Sequence, residues 1–232
     1  MVSAMPFPGF SKRGQAFFKE LSRRQDRDWF KAHKDDYEAL WVAPMKALLE
    51  GLLPVIGRAY SGLPVKEPKI FRIQRDVRFS KDKSPYKTNI AAMVALDTGG
   101  SAEEGMGGAA AIYMHFGLED IAAAGHWMLP GDDLERYRRL VADDARGAEL
   151  AKRVKRLERL GFTVSAFETL KKVPKGFDPE HPRAALLKHK GLGLDFPTLP
   201  ASVATSAKLL PWLQEQIKQS ATVIHWLEQQ LH

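Results

Sequence analysis

The chain has 232 residues, no cysteine and a formal charge of +7. That length suits one sizeable core, and the missing cysteines exclude disulfides, thiolate nucleophiles and cysteine-zinc sites. No uninterrupted apolar run approaches the roughly 18 residues of a membrane span, and Met1 to Phe10 lacks a charged start followed by an apolar stretch, so no membrane partner and a cytoplasmic location are expected. A modest positive charge favours anionic partners.

Ser11 is placed to cap a first helix that turns Phe17, Phe18 and Leu21 toward the core. Asp26 or Asp28 starts the next, where Trp29, Phe30, His33, Tyr37, Leu40 and Trp41 recur at helical spacing. Pro44 restarts or kinks the helix. Met45, Leu48, Leu49, Leu52 and Leu53 continue it until Pro54 kinks or ends that stretch, with helical character returning through Ile56 and Tyr60. Trp29, Trp41, Trp212 and Trp226 all fall on apolar helix stripes, as core residues do.

The period then changes. Ile70 to Phe79 alternates as a strand, with Phe71, Ile73, Val77 and Phe79 on one face and Arg72, Gln74, Asp76 and Arg78 on the other. Arg75 breaks the pattern, which a bulge or an Arg buried against a carboxylate would explain. Asn89 to Asp97, Ala109 to Phe116 and Asp120 to Met128 read as three further strands, with a glycine-rich hairpin loop over 99–108. Short strands with brief connections favour antiparallel pairing.

Two helices follow, split near Gly147, with Leu134, Tyr137, Val141, Leu150, Val154 and Leu157 inward. Phe162 to Phe167 and Leu192 to Leu199 are short extended pieces around a helical turn at Ala184 to Lys190. A last helix spans about Ser202 to Leu231, with Pro211 in its first turns or at a break. The expectation is one α+β domain: helical over 11–60, strand-rich over 68–128, helical over 131–160, mixed over 162–200 and helical over 202–231. A central antiparallel sheet of about four to six strands is flanked by N-terminal and C-terminal helices.

The most informative segment is Arg72 to Thr88. Between Arg72 and Lys87 it holds three Arg and three Lys against two Asp. On a strand, Arg72 and Arg78 are about 20 Å apart on one face, and Asp76 between them can hold one guanidinium extended for bidentate contact with a carboxylate or phosphate. Ser80, Lys81, Lys83, Tyr86 and Lys87 add hydroxyl and ammonium groups, and Pro85 stiffens the loop. The ligand-binding candidates are therefore Arg72, Arg75, Arg78, Ser80, Lys81, Lys83, Tyr86 and Lys87. Asp76, Tyr86 and His115 are the candidates for any proton chemistry. The competing reading is a salt-bridged sheet face with solvated lysines.

The string Arg72-Ile73-x-Arg75-Asp76-Val77-Arg78-Phe79-Ser80-Lys81-Asp82-Lys83-Ser84-Pro85-Tyr86-Lys87-Thr88 resembles the hallmark of a widespread microbial family of conserved proteins classed as a domain of unknown function. Phe17-Phe18-x-x-Leu21, Asp28-Trp29-Phe30, Tyr113-x-His115, Gly125-x-Trp127-x-x-Pro130, Pro174-x-Gly176-Phe177-Asp178 and His181-Pro182 match its other pieces, over about residues 8 to 230. The resemblance implies a cytoplasmic α+β protein and carries over no catalytic residue. Arg27-Asp28 stands where the family often has an amide-rich pattern.

Other motifs are weaker. His126 beside Trp127 reads as structural. His181 near Asp178 and Glu180 lacks the spacing of convergent ligands, so no transition metal is expected. Magnesium shared with a phosphate ligand stays open, because it needs few protein ligands. There is no Walker loop, dinucleotide fingerprint or nucleophile elbow. The run Lys152-Arg153-Lys155-Arg156-Arg159 reads as a solvated helix face, with a nucleic-acid patch as the sharper alternative. The expected partner is an anionic small molecule, the alternatives being nucleic acid or a protein partner with the motif as scaffold. Reaction, substrate and oligomeric state are not legible.

Overall fold

The computed structural model describes residues 6–78, 81–96 and 109–232. The N-terminal helices begin at acceptor caps. Ser11 Oγ accepts from Gly14 N at 3.1 Å and starts α1 (Lys12–Arg24). Asp26 Oδ1 accepts from Trp29 N at 2.8 Å and starts α2 (Arg27–Ala32). Each satisfies an amide that the first turn leaves unpaired. The short α3 (Lys34–Tyr37) passes through a π-helical turn at Glu38–Val42 into α4 (Ala43–Ala59). Pro44 is taken up at the start of α4, and Pro54 lies inside a helix that continues to Ala59, rather than ending it. Neighbouring turns and tertiary packing outweigh the lost hydrogen bond.

The helical stretch Lys34–Ala59 is therefore 26 residues long, and by length and mean hydropathy alone it is sufficient to cross a membrane. Continuity through both prolines joins apolar runs that look separate in sequence. Its stripe of Trp41, Met45, Leu48, Leu52 and Ile56 is buried within the core. Trp41 packs on Phe18 and Phe10 at ring separations of 4.5 and 4.9 Å, and its Nε1 donates to Gly14 O.

The strands are β1 (Lys69–Ile70), β2 (Asn89–Ala95), β3 (Ala111–Gly117), β4 (Ile121–His126), β5 (Thr163–Ser165) and β6 (Leu192–Asp195). Among the described residues they form one six-stranded sheet in the order β1-β2-β3-β4-β6-β5, antiparallel throughout. The α+β architecture, with helices at both ends of the chain, is as expected.

The remaining helices are α5 (Gly131–Ala142), α6 (Asp144–Arg159), α7 (Ala184–Lys188), α8 (Ala201–Ala204) and α9 (Leu209–Leu231). The break between α5 and α6 falls at Asp143, not Gly147. The Asp143 carboxylate caps Ala145 N and Arg146 N, and Arg183 Nε and Nη2 donate to the Val141 and Asp143 carbonyls at the end of α5. Gly147 lies within α6, where a Cβ would strike the Val141 carbonyl. The last helix is also interrupted earlier than expected, between Ala204 and Leu209, leaving Pro211 in the first turn of α9, where its missing N–H costs nothing.

Period-two alternation sends the strands' two faces into different surroundings. Ile90, Ala92, Val94, Ile112, Met114, Phe116, Ala124 and Leu194 join the helices in the main core. Met93, Ala111, Ala123 and Trp127 form a small cluster on the opposite face, with Phe71 and Tyr113 packed against it. There Trp127 lies over Gly193, and its Nε1 donates to Ser165 Oγ, which donates to Asp195 Oδ1 at 2.9 Å. A Cβ at Gly193 would collide with the indole. Gly193→Val is expected to lower stability by about 1–3 kcal/mol, read as an earlier midpoint in chemical denaturation, with a matching change in tryptophan emission.

Candidate functional site

The basic segment does not continue β1 as a strand. Between the pair Ile70–Ala92 and the bridge Gln74–Tyr86, one strand advances four residues and the other six. Two extra residues opposite a short stretch bend the ladder as a bulge does. Pairing resumes with Lys87 N donating to Ile73 O and Arg75 N donating to Pro85 O, both at 2.9 Å. The chain then turns at Val77 and Arg78, where Asp76 Oδ1 accepts from Arg78 N at 3.2 Å. An Asp that holds the backbone two residues on starts a turn and ends alternation. The expected shared face of Arg72, Gln74, Asp76 and Arg78 is therefore corrected.

The bend brings Arg75 inward. Arg75 lines a cavity of about 440 Å³ together with Phe71, Lys87, Asn89, Tyr113, His115 and Glu119. The cavity opens on the sheet face opposite the main helical core. It spans β2, because Ala91, the residue paired with His115, is too small to block the reach from the basic segment to β3. Tyr113 and His115 face the same side because they are two residues apart on β3.

Arg75 Nη2 lies 3.1 Å from Asp82 Oδ2, while Arg75 Nε is buried without a hydrogen-bond partner among the described residues. A guanidinium against a carboxylate is one of the two explanations its sequence position suggests. Lys87 Nζ donates to Arg72 O at 3.1 Å and lies 5.8 Å from the Phe71 ring centroid. Burial lowers the Lys87 pKa, and the charges of Arg72 and Arg75 lower it further. His115 is 8% exposed; its Nδ1 sits 3.0 Å from Tyr113 Oη and its Nε2 has no hydrogen-bond partner among the described residues. Burial lowers the His115 pKa, against the opposing pull of Glu119 and Asp120, and favours the neutral ring. Burial raises that of Tyr113, so the phenol keeps its proton. Buried polar groups are normally hydrogen-bonded; two nitrogens orphaned among the described residues, Arg75 Nε and His115 Nε2, belong to residues of this one cavity.

Other candidates lie elsewhere. Arg78 holds Asp76 in a bidentate pair, Nε to Oδ1 at 3.0 Å and Nη2 to Oδ2 at 2.7 Å, which lowers the Asp76 pKa; neither residue lines the cavity. Lys83 Nζ donates to Val77 O, and Lys81 is exposed. Arg72 is exposed and touches the site through its carbonyl and its charge. The Tyr86 ring is buried and stacks on Phe30 at 4.5 Å, while its amide donates to Gln25 Oε1. Ser80 and the glycine-rich 99–108 loop lie outside the described residues. Asn89 and Glu119 line the cavity without standing out in sequence.

A second cavity, about 380 Å³, lies at the end of β4 among Phe116, Asp120, Asp195, Phe196 and Trp212. It has no cationic lining residue and no orphaned buried side-chain atom among the described residues. His181 Nδ1 accepts from Arg183 N, and no three His, Asp or Glu side chains gather as a metal site among the described residues. The basic residues of α6 belong to the helical layer, with Leu150, Val154 and Leu157 in the main core and Arg153 held by Glu149 and the Trp226 ring.

The chain belongs to the family described as Conserved hypothetical protein (DUF2461), which it matches over residues 14–226. No curated protein and no solved structure matches it.

Proposed function

We propose that this member of a family described without an activity binds a small anionic ligand, phosphate- or carboxylate-bearing, in the cavity between the basic segment and β3. The observation that carries the reading is that Arg75, Lys87 and His115 line one cavity, with His115 Nε2 buried and unpartnered among the described residues. Arg75 supplies a planar fork with an unused Nε–H, Lys87 a point charge, and Asn89 and Tyr113 neutral polar groups. The half-buried setting strengthens these contacts relative to water. The separation of the α6 basic face from this cavity supports a small ligand over a nucleic acid, which would draw on both surfaces.

Thermal stability against phosphate-bearing metabolites, nucleotides, dicarboxylates and short oligonucleotides, with and without magnesium, tests this. A ligand at about 100 times its Kd adds about 2.7 kcal/mol, which for a chain of this size raises Tm by roughly 5–10 °C. The shift should vanish in Lys87→Ala and persist in Arg78→Ala, whose ion pair lies outside the cavity. A flat response across the panel would reassign the basic segment to scaffolding. A hit confined to oligonucleotides would favour the nucleic-acid reading.

A further inference from the structure

We propose that Lys87 is a nucleophile that joins a small oxo acid, an aldehyde or ketone bearing one carboxylate, through an imine formed in the cavity beside β3. The proposal rests on the anion-binding reading and adds a covalent step to it.

An amine becomes a nucleophile when it is held in place, partly desolvated and set beside other cations rather than against a carboxylate. Lys87 meets each condition. Its backbone is fixed, because its N–H donates to Ile73 O at 2.9 Å where pairing of the basic segment resumes. Its side chain is partly buried on the cavity wall, with Nζ 5.8 Å from the ring centroid of Phe71, a residue of the same wall. Nζ donates to the Arg72 carbonyl at 3.1 Å and forms no ion pair among the described residues. The groups around it come from three places. The basic segment presents Arg72 and Arg75, the latter paired with Asp82. The strand β3 presents Tyr113 and His115, and the turn after it presents Glu119. Burial first, then the charges of Arg72 and Arg75, disfavour the ammonium form.

The neighbouring wall suits an oxo acid. Arg75 carries the planar fork that fits a carboxylate, and it is close enough for its charge to be felt at the amine. A ligand with a carbonyl at one end and a carboxylate at the other meets both groups. In the step, the Nζ lone pair forms a C–N bond to the carbonyl carbon as the C=O π bond breaks. The oxygen then leaves as water with two of the three hydrogens of the original ammonium, and the third stays on the nitrogen of the C=N bond. Ammonium plus carbonyl gives iminium plus water, so the positive charge is kept and no oxidant or reductant is consumed.

The full chain is treated with glyoxylate as the probe and with cyanoborohydride, which reduces the imine and fixes it as a carboxymethyl group on the lysine. Peptide mass spectrometry locates the group. Lys87 should be modified several-fold faster than the exposed Lys81 in the same sample. The ratio of the two rates should rise as pH falls from the alkaline range toward neutrality, because the neutral form of Lys87 persists to lower pH. Propionaldehyde, which has no carboxylate, should show a smaller preference for Lys87. Lys87 modified no faster than Lys81, alongside a melting shift from unreactive anions, overturns the imine and leaves the anion site standing. The same labelling with no melting shift from any anion removes the reading beneath it as well. An equal preference for Lys87 with propionaldehyde and glyoxylate overturns the oxo-acid assignment.

Discussion

Glu228→Leu should lower stability by about 3–5 kcal/mol, the cost of removing one partner from a buried polar pair. For a chain of this size that is roughly 6–20 °C in Tm. Glu228 on α9 and His126 on β4 are 0% and 1% exposed, with Oε1 and Nδ1 2.9 Å apart. They tie α9 to the centre of the sheet, across 102 residues of sequence. Among the described residues Glu228 Oε2 has only His232 Nε2, 3.6 Å away, as a partner. Losing the carboxylate strands His126 Nδ1 in a dry environment, where no water can replace the contact. The double variant His126→Leu with Glu228→Leu removes both polar groups and should recover at least half of the loss. A single variant as stable as wild type would show that the pair contributes nothing. Denaturant midpoints at constant m-value decide between these outcomes.

Arg75→Ala should weaken anion binding roughly 10–150-fold, the equivalent of the 1.5–3 kcal/mol typical of a hydrogen bond to a charged group. Its effect on stability should be smaller, because the Arg75–Asp82 pair is partly exposed and such pairs contribute about 0–1 kcal/mol. The two readouts separate a ligand contact from a scaffold. A scaffolding Arg75 would show the reverse, a stability loss with unchanged affinity. Arg72→Ala should have a weaker effect on affinity, since Arg72 reaches the cavity through its field and its carbonyl rather than its guanidinium.

Much of the fold is written in local chemistry. Ser11 and Asp26 announce their helices because capping is a contact made within three residues. The strands β2, β3 and β4 follow from short apolar runs between turns, and the stripe of α9 from its spacing. Features set by distant contacts are less legible. Pro54 sits in an unbroken helix because packing holds both sides in place. The α5–α6 break is positioned by Arg183, some 40 residues away. In the basic segment a two-residue register change and the Asp76 turn break the alternation that the sequence of Arg72 to Arg78 suggests, and decide which arginine faces inward. Neither is encoded in the spacing of the charges. Arg75, the residue that violates the pattern, was the informative one. The pairing of Tyr113 with His115 could be read from strand parity, whereas Glu119 and Asn89 join the site only because the β3–β4 turn and the first residue of β2 meet there in space.

The most direct test of the anion site is the protection of Lys87 from a neutral acylating reagent, followed by peptide mass spectrometry. Its lowered pKa gives Lys87 a larger unprotonated fraction near neutrality than a solvated lysine has, and exposed Lys81 serves as the internal reference. Sulfate or phosphate should slow acylation of Lys87 several-fold in the wild type while leaving Lys81 unchanged, and the protection should be lost in Arg75→Ala. Equal labelling of Lys87 with and without anion, or protection that extends equally to Lys81, would contradict a defined anion site at this cavity.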